Sequence, residues 1–248
     1  MNFSIPDQQV EPSTLYLIPT PIGNLADFTL RAIGTLCAVD LVACEDTRTS
    51  GRLLERFDIP TRKTSFHSHN EHKKVAILVD KLRTGMSIAL VSDAGSPGIS
   101  DPGYLLVRSV IAAGLNVVPL PGPTALIPAL TASGLPTDRF VFEGFLPPKK
   151  GRMKRLLDLT DEPRTIVFYE APHRLTKFLA QIIDVFGEDR FVVIAREVSK
   201  KFEEISRGTA ATQLERVSQL DRVRGEIVVM IAGAAHDAST LSLCPNKP

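Results

Sequence analysis

Eight short apolar runs, at residues 15–18, 41–44, 88–91, 117–120, 140–142, 165–169, 191–195 and 227–231, recur along the chain with segments of helical period between them. That alternation leaves few folds open. A run this short and this apolar is a strand buried on both faces, and an amphipathic helix is what returns the chain to the next parallel strand. Val75, Leu78, Val79 and Leu82 repeat at i, i+3, i+4 and i+7, and Leu106, Val107, Val110 and Ile111 form a second stripe. Leu175, Phe178, Leu179, Ile182 and Phe186 share one face of a third. The fold class expected is α/β, in two domains each built on a mostly parallel sheet. The turn-rich stretch Ser133-Gly134-Leu135-Pro136-Thr137-Asp138 separates the two sets of runs. The expected layout is therefore an N-terminal domain over 14–134 and a C-terminal domain over 135–236, with loose tails at 1–13 and 237–248.

Composition narrows the function classes. With 44% hydrophobic and 23% charged residues, the chain matches an ordinary globular protein rather than a fibrous or disordered one. No apolar run approaches the roughly 20 residues of a membrane span, and residues 1–13 lack the basic and apolar regions of a secretory signal, so a cytoplasmic location without membrane contact is expected. Cys37, Cys44 and Cys244 show no Cys-x-x-Cys spacing, which suggests neither a disulfide framework nor zinc; Cys37 and Cys44 are expected in the core. A net charge of +1 gives no global pull on a polyanion, so any nucleic-acid contact must come from local clusters.

Three loops rich in Gly, Pro, Ser, Thr and Asp directly follow expected strands, where open α/β sheets bind ligands. The first holds Pro19, Thr20, Pro21, Ile22, Gly23 and Asn24. The second runs from Ser92 through Asp93, Ala94, Gly95, Ser96, Pro97, Gly98, Ile99 and Ser100 to Asp101 and Gly103, and the third holds Pro121, Gly122, Pro123, Thr124 and Ala125. Glycines admit a close ligand, prolines fix loop shape, and short polar side chains cap helices or bind a ribose. Gly-x-Gly-x-x-Gly and the phosphate-loop lysine are both missing, which disfavours the common dinucleotide and ATP sites.

Glu45, Asp46, Thr47 and Arg48 end the second strand, and His67, His69 and His72 crowd the start of a helix. His67 and His69 are expected to alternate as on a strand, with Asn70 or Ser68 as helix cap, so a surface or RNA-facing role is preferred over a metal site. Lys149, Lys150, Arg152, Lys154 and Arg155 place five cations within seven positions, suited either to phosphates or to a solvated helix face. Tyr169, Glu170 and Arg174, then Arg196, Glu197 and Lys200, then Arg224, Gly225 and Glu226 put mixed charge at strand ends of the second domain.

Taken in order, the motifs at 19–24, 29–32, 44–48, 67–71, 92–103, 121–125, 144–147, 169–174, 196–200 and 225–226 resemble the tetrapyrrole methylase superfamily, within it the branch that methylates small-subunit ribosomal RNA. The resemblance implies two α/β domains with S-adenosylmethionine in the cleft between them, a homodimer, and 2′-O-methylation of a cytidine in the decoding region of 16S ribosomal RNA within the small subunit. By position it implies cofactor contacts at Pro21, Asp93, Ala94, Gly95, Ser96, Pro97, Ile99, Ser100, Pro121, Gly122, Thr124, Ala125, Tyr169, Glu170, Arg196 and Gly225. RNA contacts are expected at Arg48, His69, Asn70, Lys149, Lys150, Arg152, Lys154, Arg155 and Arg174. Ser96 stands where the family carries Asp, and Glu197-Val198-Ser199-Lys200 replaces its Glu-Leu-Thr-Lys. Because a sugar hydroxyl needs help to react, Lys200 (if burial lowers its pKa), Glu226 and His67 are the candidate catalytic groups. A tetrapyrrole or diphthine-type methyltransferase, or a non-catalytic ribosome-binding factor, stays as an alternative.

Overall fold

A computed structural model of the chain describes residues 8–234. The chain falls into two compact units, Met1–Thr124 and Ala125–Pro248. In the first, β1 (Thr14–Leu17), β2 (Leu41–Cys44), β3 (Lys63–Ser65), β4 (Ile88–Val91) and β5 (Asn116–Pro119) form a sheet in the order β3-β2-β4-β1-β5. All its pairings are parallel, with Leu15 opposite both Ile88 and Val117. Side chains alternate between the two faces. Tyr16, Val42, Cys44, Ala89 and Val91 pack with α1 (Leu30–Ala38) and Leu54 of α2 (Thr47–Arg56). Leu15, Leu41, Ala43, Ile88 and Leu90 pack with α3 (Glu71–Arg83) and α4 (Tyr104–Ala112). Burial on both faces is why these strands are continuous apolar runs.

The second unit departs from the mostly parallel expectation. Its strands β6 (Phe140–Phe145), β7 (Thr165–Glu170), β8 (Phe191–Arg196), β9 (Glu204–Thr209) and β10 (Ile227–Ile231) run β6-β7-β10-β8-β9. Only β6 and β7 are parallel; β10 is antiparallel to both β7 and β8, and β9 to β8. The link from β8 to β9 is too short for a crossover helix, which forces the chain to reverse. Its helices are α5 (Leu126–Ser133), α6 (Arg152–Leu157), α7 (Leu175–Phe186) and α8 (Ala210–Ser218). Leu175, Phe178, Leu179, Ile182 and Phe186 are all buried in the core of this unit, as their spacing predicts.

Four further expectations are corrected. The division between units precedes α5 instead of following it, because α5 packs on β8, β9 and β10, where the Arg207 guanidinium donates to the Ser133 and Ala132 carbonyls. The stretch just before β1 is held: Val10 packs on the first core and the Glu11 amide donates to the Tyr16 hydroxyl at 2.7 Å. Cys37 is exposed, whereas Cys44 is buried. Ile111 faces solvent at 61% exposure, on the outer side of α4. Residues 1–7 of the expected N-terminal tail, all of the expected C-terminal tail at 237–248, and Cys244 lie outside the described residues. No helix among the described residues is long and apolar enough to cross a membrane.

Candidate functional site

Adjacent strands β4, β1 and β5 bring the three loops to one rim of the first unit, and specific bonds join them. Thr20 and Gly95 exchange backbone hydrogen bonds at 2.9 Å in both directions, linking the first loop to the second. The Thr20 hydroxyl donates to the Ser92 carbonyl at 3.0 Å, and the Ser96 hydroxyl to the Pro123 carbonyl at 3.4 Å, linking the second loop to the third. Ser96, in place of the family aspartate, is thus a loop tie. Gly122 closes the rim: a Cβ there would lie 2.8 Å from Pro19 Cβ, so only glycine lets the first and third loops meet. Ser100 holds φ at +62°, a strained value for a side chain of this kind and one that clusters at ligand sites.

The same rim gathers acids. The Asp46 amide donates to Asp93 Oδ1 at 3.1 Å, and Asp46 itself caps α2 and grips Arg48 at 3.2 and 2.8 Å. Those Arg48 bonds pull the Asp46 carboxyl down to about 2. Burial first, and then the charge of Glu45, pushes Asp101 up to about 6. Burial followed by the charge of Asp93 also raises Glu45. This donor set, carboxylates beside rigid backbone, fits a ligand carrying positive charge and hydroxyl donors, as a sulfonium nucleoside does.

The raised Asp101 pKa gives a prediction with a definite sign. Between its ordinary value of 3.8 and about 6, the folded state holds the proton better than the unfolded chain does, so stability is lost as the pH rises through that window. Asp101→Asn should therefore be more stable than the parent above pH 6, by about 1 kcal/mol once screening of a half-exposed group is discounted. Urea unfolding of both proteins at pH 4 and pH 8 reads this directly; an equal difference at the two pH values would refute it.

The second unit gathers its own residues at one end of its sheet. Because β10 runs opposite to β7 and β8, its first residue Ile227 pairs with both Glu170 and Arg196, and Gly225 and Glu226 arrive beside Glu197 and Lys200. Lys200 Nζ lies 2.8 Å from Glu197 and 3.2 Å from Glu226. Burial alone works against its ammonium, but the two carboxylates together outweigh that effect and raise its pKa. The condition for Lys200 as a base is not met: it is a fixed cation at neutral pH. Glu197, which also accepts from the Glu226 amide at 3.0 Å, forms with Lys200 the ion pair that their i,i+3 spacing allows. Gly225, with φ at +92°, admits it: a Cβ there would lie 2.5 Å from the Glu197 carboxyl carbon.

Other expected site residues are already engaged. Glu170 is buried and ion-paired with Arg152 and with Arg174, so its carboxylate is closed to a ligand. Arg152 is correspondingly buried and drops out of the basic run, while Arg155 binds Glu143 at 2.6 Å. Lys149, Lys150 and Lys154 are exposed and form no ion pair among the described residues. Arg196 donates to Glu204 at 3.1 and 2.9 Å. The Tyr169 ring meets Phe142 edge-on and Phe145 at a tilt, with ring centroids 5.0 and 5.5 Å away.

His67 and His69 lie in a turn after β3, not on the strand, because the strand ends at Ser65. Asn70 is the N-cap residue of α3, yet its side-chain oxygen accepts from the His67 amide at 2.9 Å instead of from the helix. Asn70 Nδ2 sits 3.0 Å from His67 Nε2, which assigns the ring proton to Nδ1, a buried atom with no hydrogen-bond partner among the described residues. No group of three or more His, Cys, Asp or Glu side chains among the described residues is arranged to hold a metal.

The chain is 52% identical over 221 residues to ribosomal RNA small subunit methyltransferase I of Vibrio cholerae serotype O1, covering 88% of this chain and 77% of that one. To the protein of the same name from Escherichia coli O157:H7 it is 53% identical over 221 residues, with the same coverage of 88% and 77%. Its fold is that of uroporphyrin-III-C-methyltransferase from Thermus thermophilus, at a TM-score of 0.61 and 18% identity over 90% of this chain and 96% of that one. It is equally that of a cobalt precorrin-4 methyltransferase, at a TM-score of 0.65 and 18% identity over 93% and 97%. Residues 14–213 match the tetrapyrrole (corrin/porphyrin) methylases, and the chain belongs to that family.

Proposed function

We propose that the chain is a cytoplasmic, homodimeric S-adenosylmethionine-dependent methyltransferase of 16S ribosomal RNA, acting on the 2′-oxygen of a cytidine in the decoding region of the small subunit. The observation that carries this reading is identity of about half, across nearly nine-tenths of the chain, with relatives named for small-subunit ribosomal RNA methylation. When bound, the cofactor supplies an electrophilic methyl group on a sulfonium. Gly95, Ser96, Pro97, Gly122 and Thr124 would hold it through their joined loops, with Asp93 and Asp101 offering carboxyl oxygens to hydroxyls or positive charge. Rigid joining matters because in-line transfer depends on placing the reacting atoms about 3 Å apart.

At that end of the second unit's sheet, Lys200 acts as a fixed cation that steadies negative charge developing on the sugar oxygen. Glu226, 68% exposed beside it, takes the proton. Lys149, Lys150 and Lys154 neutralise RNA phosphates without reading sequence. A charge role for Lys200 predicts that Lys200→Arg keeps most single-turnover activity while Lys200→Met loses about tenfold. Equal loss in both variants would restore the base assignment.

The reading itself is tested by incubating the protein with labelled S-adenosylmethionine and unmethylated small subunits, then mapping the label. Label on a cytidine ribose is the expected result. Unlabelled RNA, together with tight binding of a tetrapyrrole in an absorbance titration, would overturn it.

A further inference from the structure

Helix α2 and the edge strand β3 enclose a groove of about 500 Å³ on the first unit, lined by Thr47, Arg48, Gly51, Arg52, Glu55 and Lys63 among others. Its chemistry is lopsided. Arg48, Arg52 and Arg56 recur at i, i+4 and i+8 along α2 and are all exposed. Like charges at this spacing disfavour a helix, and Glu55 is the one acid in the groove wall. Lys63 reaches in from β3 and lies closely against the helix at Gly51, where a Cβ would stand 3.1 Å from Lys63 Cε and 3.3 Å from Nζ. Arg48 is already shared with Asp46, but Arg52 and Lys63 form no ion pair among the described residues.

We propose that this groove binds the phosphodiester backbone of the RNA substrate. The inference rests on the reading above that the substrate is RNA. Three features select an extended polyanion over a mononucleotide. The amides at the start of α2 are partly satisfied by the Asp46 side chain, which accepts from the Arg48 amide at 2.8 Å, so the helix end is not the anion site. The cations instead run along the helix, about 6 Å apart per four residues, which is the order of separation of successive phosphates in one strand. Finally, α2 starts where Asp46 bonds Asp93 of the second rim loop, so the groove opens beside the candidate cofactor loops of the same unit. A strand held there has its sugars led toward that rim.

The test is Arg52→Gln/Lys63→Gln in the full chain, compared with the parent in two assays. Anisotropy measures binding to a small-subunit RNA transcript at several salt concentrations, and labelled-donor transfer measures methylation of purified small subunits. The expected result is a Kd for the transcript raised about tenfold, and a log Kd against log salt slope smaller by about 1.5, as for two lost phosphate contacts. Calorimetric affinity for S-adenosylmethionine should equal the parent's, which shows that the variant is folded. Unchanged transcript affinity and slope would overturn the groove while leaving the methylation reading intact. Transcript binding by the parent without methylation of any RNA would sink that reading and keep the groove. Weakened methylation of subunits with transcript binding unchanged would assign the groove to a ribosomal protein and overturn the proposal.

Discussion

Glu170→Ala should destabilise the protein by about 3–5 kcal/mol, the cost of leaving buried cations without their counter-ion. The Glu170 side chain is 2% exposed and faces Arg152 at 6% and Arg174 at 27%. Arg152 is further committed by a bond to Gln181 at 2.7 Å and by its position 4.9 Å over the Phe178 ring, so it has no route to water when the carboxylate goes. A loss of this size is a large share of a typical domain's stability. Urea unfolding at neutral pH measures it. Glu170→Gln separates charge from volume and should recover only a minor part. Asp80→Ala, which breaks an exposed pair with Arg83, should change stability by less than about 1 kcal/mol. If Glu170→Ala cost no more than Asp80→Ala, the buried cluster would not be holding this unit together.

Gly122→Ala should strike function harder than stability. The added methyl would stand 2.8 Å from Pro19 Cβ and 3.0 Å from Cγ. A proline ring cannot swing aside, so the first and third loops must separate by several tenths of an ångström. Neither loop moves alone, since Thr20 is bonded to Gly95 and Ser96 to Pro123. Donor affinity should fall about tenfold and kcat/KM about 100-fold, because small displacements of a positioning shell have large kinetic effects. Calorimetry and single-turnover transfer measure the two effects, and donor affinity equal to the parent's would show that these loops do not hold the donor.

The parts of the fold legible in the sequence are the parts that are apolar. The strands buried on both faces were visible as runs, and the α7 stripe emerged residue for residue. Two of the four edge strands are not legible as runs: Lys63-Thr64-Ser65 is polar, and β9 reads Glu204-Ile205-Ser206-Arg207-Gly208-Thr209. An edge strand keeps one side in water and needs no apolar run. Strand direction was equally hidden, because an apolar run such as β10 looks the same whether its neighbours are parallel or antiparallel. At the candidate site, loop chemistry was readable from glycine and proline placement. Which charges are engaged was not. Arg152 sits among four other cations of the same run, and its burial depends on Glu170, a partner supplied by another strand. Lys200 shows the same difficulty: whether burial or its carboxylate neighbours decide its charge depends on Glu226, which only the antiparallel course of β10 brings alongside.

That course of β10 has a consequence for how the protein is made. The strand lies at the middle of the second sheet but is the last of the five to leave the ribosome. Until translation passes Ile231, β7 and β8 each offer a bare apolar border to any passing chain, the kind of opening that recruits chaperones or seeds aggregates. A messenger broken within the final codons of this unit would thus yield not a shortened enzyme but a sheet missing its keystone.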